Sequence, residues 1–397
     1  MSTDAPGPFR GGGAGPSIAI IGAGIGGLTL AALMLEQGAP VQIFEQAGAF
    51  ARVGTGIQMG PNAMKVLTRL GLHRDLAQVA YSPATLANRE WDTGALTFEL
   101  PVGSTAVERY GAPYYLLHRG DLHELLQRRV PAEVIRLGSR LVSLTERRDG
   151  VVLRFEDGST ARADIVVGAD GVHSTVRDCL FEAAEPSFTG KVAYRAVFPV
   201  ELVTGELPGP STKWWGPDRH IVIYYVSAGR ELYFTTAVPD AGWEVESYSA
   251  RGDLGELRAA FTGFHSEVQA VLQACPAVHK WAIYDRSPLP TWHTDRVVLL
   301  GDACHPMTPY MAQGAATAME DAVVLSRCLR AHGMEPGAAF PLYETCRKPR
   351  TSAIQAGSRA NDWLREPTDP TWVYGYDAVH VPLDADSEGA GKWVVRR

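Results

Sequence analysis

The first cluster of hydrophobic positions, Ser17 to Ile21, is a short β-branched run that enters Gly22. From Gly26 to Glu36, Leu28, Ala31, Ala32 and Leu35 recur at the spacing of one helical face, and Gly38 stops the run. Val41 to Phe44 is a second apolar strand ending at Glu45. Strand, helix and strand in this order predict a parallel pair joined by a crossover helix. Further helices are expected at Pro61 to Leu70 and at Gly120 to Val130, where Leu122, Leu125 and Leu126 share a face. From Glu133 the period shortens to that of strands: Val134 to Leu137, Leu141 to Glu146, Val151 to Phe155, an Asp157-Gly158 turn, then Ala161 to Val167. This reads as a β-meander feeding back to the opening unit. Between Phe188 and Ile283, runs such as Ala193 to Val200, Ile221 to Val226 and Leu232 to Val238 are rich in aromatic and β-branched residues, as an antiparallel sheet requires. A buried strand at Arg296 to Leu300 and a periodic helix from Gly314 to His332 return the chain to α/β. The pattern divides the chain into a Gly/Pro-rich tail at 1–16, an α/β part at 17–187, a mainly antiparallel sheet insertion at 188–288, an α/β return at 289–365 and a closing segment at 366–397 that turns polar from Asp384.

Composition narrows this picture without selecting a ligand. A chain of 397 residues, 46% hydrophobic and 20% charged, is long enough for two or three packed units with a sizeable core. A net charge of −7 argues against nucleic acid as the main partner. The apolar runs are too short to span a bilayer, and the start lacks a basic segment followed by an apolar one, so no membrane or export role is expected. The five cysteines form no CxxC, which suits reduced thiols and a cytoplasmic location. Cys304 and His305 are adjacent without further ligands at metal spacing, so no metal site is expected.

Three segments carry candidate chemistry. Gly22-Ala23-Gly24-Ile25-Gly26-Gly27 fits GxGxxG between strand and helix, where small residues let the backbone approach a pyrophosphate and the helix start supplies free N–H groups. Glu45, at the end of the second strand, stands where an acid accepts bonds from ribose hydroxyls. Gly168-Ala169-Asp170-Gly171 follows the Ala161 to Val167 strand, and by spacing alone could be an ordinary turn. Gly301-Asp302-Ala303-Cys304-His305-Pro306, continuing to Pro309, Gln313, Gly314 and Ala315, presents an Asp at a strand's carboxyl edge and then opens a helix at a glycine.

Together, and in this order over residues 17 to 365, the three segments resemble the single-component FAD-dependent aromatic hydroxylases of the p-hydroxybenzoate hydroxylase fold. The resemblance implies a Rossmann-like FAD-binding domain with the inserted antiparallel sheet as substrate domain. It also implies FAD as cofactor, NADH or NADPH as co-substrate, and hydroxylation of a small aromatic acid by O2 through a C4a-hydroperoxyflavin. It assigns Gly22, Gly24, Ile25, Gly26 and Gly27 to the FAD pyrophosphate, and Glu45 with Gln46 to the adenosine ribose. Asp302 falls to the ribityl chain, Arg52, Arg119 and Asp170 to further cofactor contacts, Gly314 and Ala315 to the flavin edge, and Pro309 to the neighbourhood of its reactive carbon.

Gly60-Pro61-Asn62, Tyr194-Arg195-Ala196, Lys213-Trp214-Trp215 and Trp372 to Asp377 look most like the 6-hydroxynicotinate 3-monooxygenase branch, which replaces a ring carboxylate by hydroxyl. The salicylate, aminobenzoate and hydroxybenzoate hydroxylases, with or without carboxylate loss, are the alternative. His220 and Tyr224 match that branch and are the expected catalytic pair, four residues apart so that a strand would put them on one face. Gln58, Ser211 and Tyr310 depart from its His, Cys and His, and with Tyr225 they are expected to contact substrate. Monomer and homodimer stay open. The rivals are a dehydrogenase using the same glycines for nicotinamide, which the Asp302 to Asp321 block disfavours, and a flavoprotein that only carries a ligand.

Overall fold

The structure is a computed structural model that describes residues 15–383 except 53, 182–184, 241 and 243–249. Residues 1–14 of the expected tail at 1–16, and those from Asp384 onward, lie outside the described residues. Five parallel strands form the first sheet, in the order Val297–Leu299, Ile165–Gly168, Ile18–Ile21, Val41–Phe44, Ile135–Arg136. The first three of these are buried throughout, as strands covered on both faces must be. Helix Ile25–Glu36 is buried over ten of its twelve residues, which explains its apolar character all round. Gly26 lets it approach helix Gly314–Ala331, since a Cβ there would stand 3.2 Å from the Ala318 Cβ.

Two details of the middle stretch differ from the pattern read in the sequence. Val134 to Leu137 does not join the meander: a 3₁₀ turn at Ala132–Val134 delivers Ile135–Arg136 to the edge of the parallel sheet. The single run Ala161 to Val167 is two strands, Thr160–Ala163 in a three-stranded antiparallel sheet and Ile165–Gly168 in the parallel one. Asp164 makes the break, because its carboxylate accepts from both the backbone N–H and the hydroxyl of Ser17 at 2.8 Å.

The second large sheet has seven strands, in the order His279–Asp285, Ser187–Pro199, Glu231–Pro239, His220–Val226, Ser211–Trp215, Thr85–Glu90, Leu96–Pro101. Its pairs are antiparallel except Ser211–Trp215 with Thr85–Glu90. The last two strands come from within 17–187, so the insertion at 188–288 supplies five of the seven. Thr-Leu-Ala-Asn-Arg-Glu carries little β-branched character, and its pairing with Ser211–Trp215 is what makes it a strand. A two-stranded antiparallel pair, Gly56–Met59 with Tyr115–His118, lies between the two sheets. Helix Pro336–Ala360, invisible in a sequence that places Pro341 and Pro349 inside it, backs the return segment. Among the described residues no helix is long and apolar enough to cross a membrane.

Candidate active site

Three strand ends of the parallel sheet open into loops at one edge: Gly22 to Gly27, Ala169 to Gly171, and Gly301 to Ala303. Gly22 has φ of 102°, and a Cβ there would lie 2.5 Å from the Ala169 carbonyl oxygen, so only glycine lets the first two loops touch. Gly27 is equally confined, its Cβ position being 2.1 Å from the Gly22 oxygen. Gly24 is not: a Cβ there meets nothing within 4 Å, and its φ of −73° and ψ of −177° suit any residue. Gly24 faces an open trough shared with Ile25, Gly26, Arg119, Asp302, Gly314 and Ala315. Helix Gly314–Ala331 has no side-chain cap at this end, so its first-turn N–H groups remain available to a ligand. The Glu45 carboxylate accepts from the N–H groups of Ala23 and Ala47, both at 2.8 Å, which fixes the glycine loop and leaves each oxygen a second lone pair.

The Asp302 loop stands on a buried ionic cluster. Asp321 accepts from the Gly301 N–H at 3.1 Å, from His305 Nε2 at 2.5 Å and from Arg347 Nε at 2.7 Å. Glu320 accepts from Asn62 at 2.7 Å, Arg347 at 2.8 Å and Arg350 at 2.8 and 2.9 Å. Burial acts to raise both carboxyls, but Arg350 and Arg347 on Glu320, and His305 and Arg347 on Asp321, outweigh it and hold them below the usual carboxylate range. Burial acts to lower His305, and Cys304 with Asp321 overrides it, so the imidazole is held well above the usual range. With Cys304 these two residues place possible ligand atoms within 4.8 Å of one another, but Asp321 is spent on His305 and Arg347, so the group is an ion-pair cluster.

Beyond the trough, one face of the seven-stranded sheet closes a cavity of about 430 Å³ in all. His220, Val222 and Tyr224 point into it from one strand, and Ser211 and Lys213 from the next, as period two demands. Pro309 and Tyr310 enter from the loop after Asp302. The His220 ring meets Tyr310 edge-on at 5.6 Å and lies 5.1 Å from Trp215. Burial, helped by Lys213 and Lys191, pushes the His220 imidazole well below the usual range, so it is neutral at pH 7. Burial pushes the Tyr224 phenol well above 10 and that of Tyr310 up to about 12, so both stay protonated donors. Gln58 accepts from the Tyr114 hydroxyl at 2.6 Å and lies in hydrogen-bonding reach of Tyr224. The Tyr310 hydroxyl is buried without a partner among the described residues.

The trough thus opens onto a ring-sized pocket in the same cavity. Residues 16–357 match the family model described as FAD binding domain. The 6-hydroxynicotinate 3-monooxygenase of Bordetella bronchiseptica is 46% identical over 93% of this chain and 97% of its own length. The 3-amino-4-hydroxybenzoate 2-monooxygenase of Streptomyces platensis is 38% identical over 92% and 97%. The chain belongs to the FAD-dependent aromatic monooxygenases. The structure of a Klebsiella pneumoniae HpxO variant complexed with FAD superposes with a TM-score of 0.78 at 28% identity, covering 87% of this chain and 89% of that one.

The residues fit the FAD of this monooxygenase family: Gly24 leaves open the space a Cβ would fill, and an uncapped helix start faces Asp302 across the trough. Four of the residues expected from sequence sit elsewhere. Tyr225 projects from the opposite face of its strand to Tyr224, stacks on Tyr81 at 5.2 Å and donates to the Pro208 carbonyl, so it cannot touch substrate. Arg52 is drawn away from the trough by Asp121 at 2.9 Å and Glu231 at 3.2 Å. The Asp170 carboxylate turns back into its own loop, accepting from the Ser174 hydroxyl and the Val176 N–H, and so holds the start of helix Thr175–Leu180. Gln46 is exposed beside Glu45. Conversely, Tyr114, Trp281, Met307, Trp363 and Leu364 line the cavity without having stood out as site candidates in the sequence. Only the Tyr-rich run after Gly111 could have hinted at Tyr114.

Proposed function

We propose that this monooxygenase hydroxylates a ring carboxylate bearing a hydroxyl or amino group, aromatic or heteroaromatic, at the carboxylate-bearing carbon, releasing carbon dioxide. The observation that carries the reading is the neutral, buried His220 in the wall of the ring pocket, packed edge-on against Tyr310, whose hydroxyl has no partner among the described residues. FAD, when bound, supplies the redox chemistry, passing the hydride equivalent of NAD(P)H to O2 and one oxygen atom to the ring. Overall, the ring acid, O2, NAD(P)H and a proton give the ring alcohol, carbon dioxide, water and NAD(P)⁺. His220 accepts the proton of the ring hydroxyl, which pushes electron density into the ring where oxygen is to add. Its depressed basicity means that the proton settles only when an anionic substrate offsets the nearby ammonium charges. Tyr224 and Gln58 orient the ring, Ser211 and Tyr310 bond its substituents, and Pro309 crowds the side facing the trough. The names of the two relatives, a hydroxynicotinate and an aminohydroxybenzoate monooxygenase, support the substrate class.

The test is NADH and NADPH oxidation by the FAD-loaded protein across hydroxynicotinates, salicylates, aminobenzoates and hydroxybenzoates, followed by product mass and carbon dioxide. Oxygen gained with the carboxylate lost is expected. Oxygen gained with the carboxylate kept would replace this reading by that of an aminobenzoate- or hydroxybenzoate-type hydroxylase.

A further inference from the structure

An ammonium drawn largely out of water ordinarily sits against a carboxylate, because desolvating an unpaired charge is costly. Lys213, half-buried in the wall of the cavity, does not. It lies at the centre of strand Ser211–Trp215, registered between Asn88 on one neighbour and Val222 on the other, and faces the cavity beside Ser211. Its Nζ stands 3.6 Å from the centroid of the Trp215 ring. Among the described residues, no carboxylate forms an ion pair with it.

Its surroundings add positive charge. The Arg365 guanidinium packs on the same Trp215 ring at 5.3 Å, carried by the strap that follows helix Pro336–Ala360. His220 approaches that ring as well, and the indole is fixed by its N–H donating to Asn88 at 2.7 Å. Burial first, then Arg365 and Lys191, push the Lys213 ammonium well below the usual lysine range, with Asp362 the acid that opposes them. An aromatic face relieves part of this by cation–π attraction, yet a site with two cations on one indole still lacks its anion. The other cation of this cavity wall, Arg195, stacks on Trp281 at 4.8 Å and has hydrogen-bonding or ionic partners of its own.

We infer that Lys213, held on the Trp215 platform beneath the Arg365 strap, is the anchor for the carboxylate of the ring substrate. The inference rests on the proposed substrate class and adds the group that reads it. The carboxylate is the missing counter-ion of the Trp215 platform, and its arrival also offsets the positive charge that adds to burial in keeping a proton off His220. Lys213 thereby ties recognition of the acid to activation of the ring hydroxyl next to it.

The test compares acid with amide. The FAD-loaded protein is titrated with 6-hydroxynicotinate and with 3-amino-4-hydroxybenzoate, and with the carboxamide of each, reading Kd from the change in flavin absorbance without reductant. The parent is expected to bind acid about 10- to 100-fold more tightly than amide, the size of one charge-assisted hydrogen bond. Lys213→Met should bring that ratio to within about threefold while leaving the amide Kd unchanged and the thermal midpoint at or above that of the parent, since an unpaired charge is removed, and Lys213→Arg should keep part of the preference. An acid-to-amide ratio unchanged in Lys213→Met, or an equal loss for both ligands, would overturn the anchor. If the parent binds amides as tightly as acids but is still stimulated by ring compounds, the anchor fails and the monooxygenase reading stands. If neither ring acid nor amide perturbs the flavin, the proposed substrate class fails first and the anchor with it.

Discussion

Gly24 and Gly27 belong to one motif, yet the structure gives their alanine variants opposite effects on the fold. At Gly24 the backbone already has angles that alanine prefers, and the added Cβ meets nothing within 4 Å. Gly24→Ala should therefore stabilise the FAD-free protein by about 0.4–1 kcal/mol, through the lower entropy of the unfolded chain. In a chain of this size that corresponds to a rise of roughly half a degree to one degree in thermal midpoint. The same methyl group occupies the path by which a phosphate reaches the loop. Losing one charge-assisted hydrogen bond there costs about 1.5–3 kcal/mol, or roughly 10- to 150-fold in FAD affinity. At Gly27 the Cβ would stand 2.1 Å from the Gly22 oxygen, a backbone atom that cannot swing aside. Gly27→Ala should lower the midpoint of the FAD-free protein, with overpacking strain of about 1–3 kcal/mol. The assay is a pair of measurements on each FAD-free variant: circular-dichroism melting, and quenching of FAD fluorescence on titration. FAD bound by Gly24→Ala within threefold of the parent would show that the pyrophosphate does not lie in this trough.

Two further perturbations probe the ring pocket and its foundation. His220→Gln should lower hydroxylation by roughly 10²- to 10⁴-fold with FAD affinity intact, the usual contribution of a positioned proton acceptor, while Tyr225→Phe should leave turnover unchanged because Tyr225 faces Tyr81 instead; equal losses in both would refute the assignment of faces. Glu320→Gln turns one of the two oxygens that accept four hydrogen bonds into an NH2 group, leaving Arg350 with no carboxylate and Arg347 with Asp321 alone, which should cost about 3–5 kcal/mol of stability measured by thermal or denaturant unfolding. The pH dependence has a definite sign. Glu320 and Asp321 are depressed in the folded state, so their stabilisation is complete above the ordinary carboxylate range and is lost as pH falls through the folded values. His305 is raised, so its contribution is present below about pH 6.5 and disappears as pH rises through its folded value. Glu320→Gln should flatten the acid limb alone.

The cofactor half of the site was largely legible in the sequence because it is local. Gly22 to Gly27, Glu45 and the Asp302 to Ala315 segment each follow a strand that the apolar pattern reveals, and strand ends fix where loops lie. The pocket half was legible in part: Gln58, Ser211, His220, Tyr224, Pro309 and Tyr310 line the cavity, whereas Tyr225 does not and Tyr114, Trp281 and Trp363 did not stand out, because facing depends on register. Tyr224 and Tyr225 are indistinguishable as letters, and the pairing of Tyr224 with Ser211 and Tyr233 decides which one sees the cavity. Arg52 was misplaced for a related reason: Glu231, which helps to hold it, is 179 residues away and gives no local signal. Asp170 was placed correctly by its loop, but the direction of its carboxylate is set by Ser174 and Val176 within the same turn. Thr85–Glu90 became a strand through a neighbour far along the chain, which local propensity does not report.

Gly56 lies where the two-stranded antiparallel pair meets the sheet of the pocket, and a side chain there would collide with the Tyr233 ring at 2.6 Å and the Tyr224 hydroxyl at 2.7 Å. The wall of the ring pocket is thus pressed onto the strand that pairs with the one leading to Arg119 at the trough, and the Arg119 N–H donates to the Thr55 carbonyl just before it. For anyone redesigning which ring this enzyme accepts, the transplantable unit is therefore a contact surface drawn from distant stretches of chain. Exchanging residues 188–288 with those of a relative would split that surface at Gly56, so the exchange must carry Gly56 to Gln58 and Tyr114 with it.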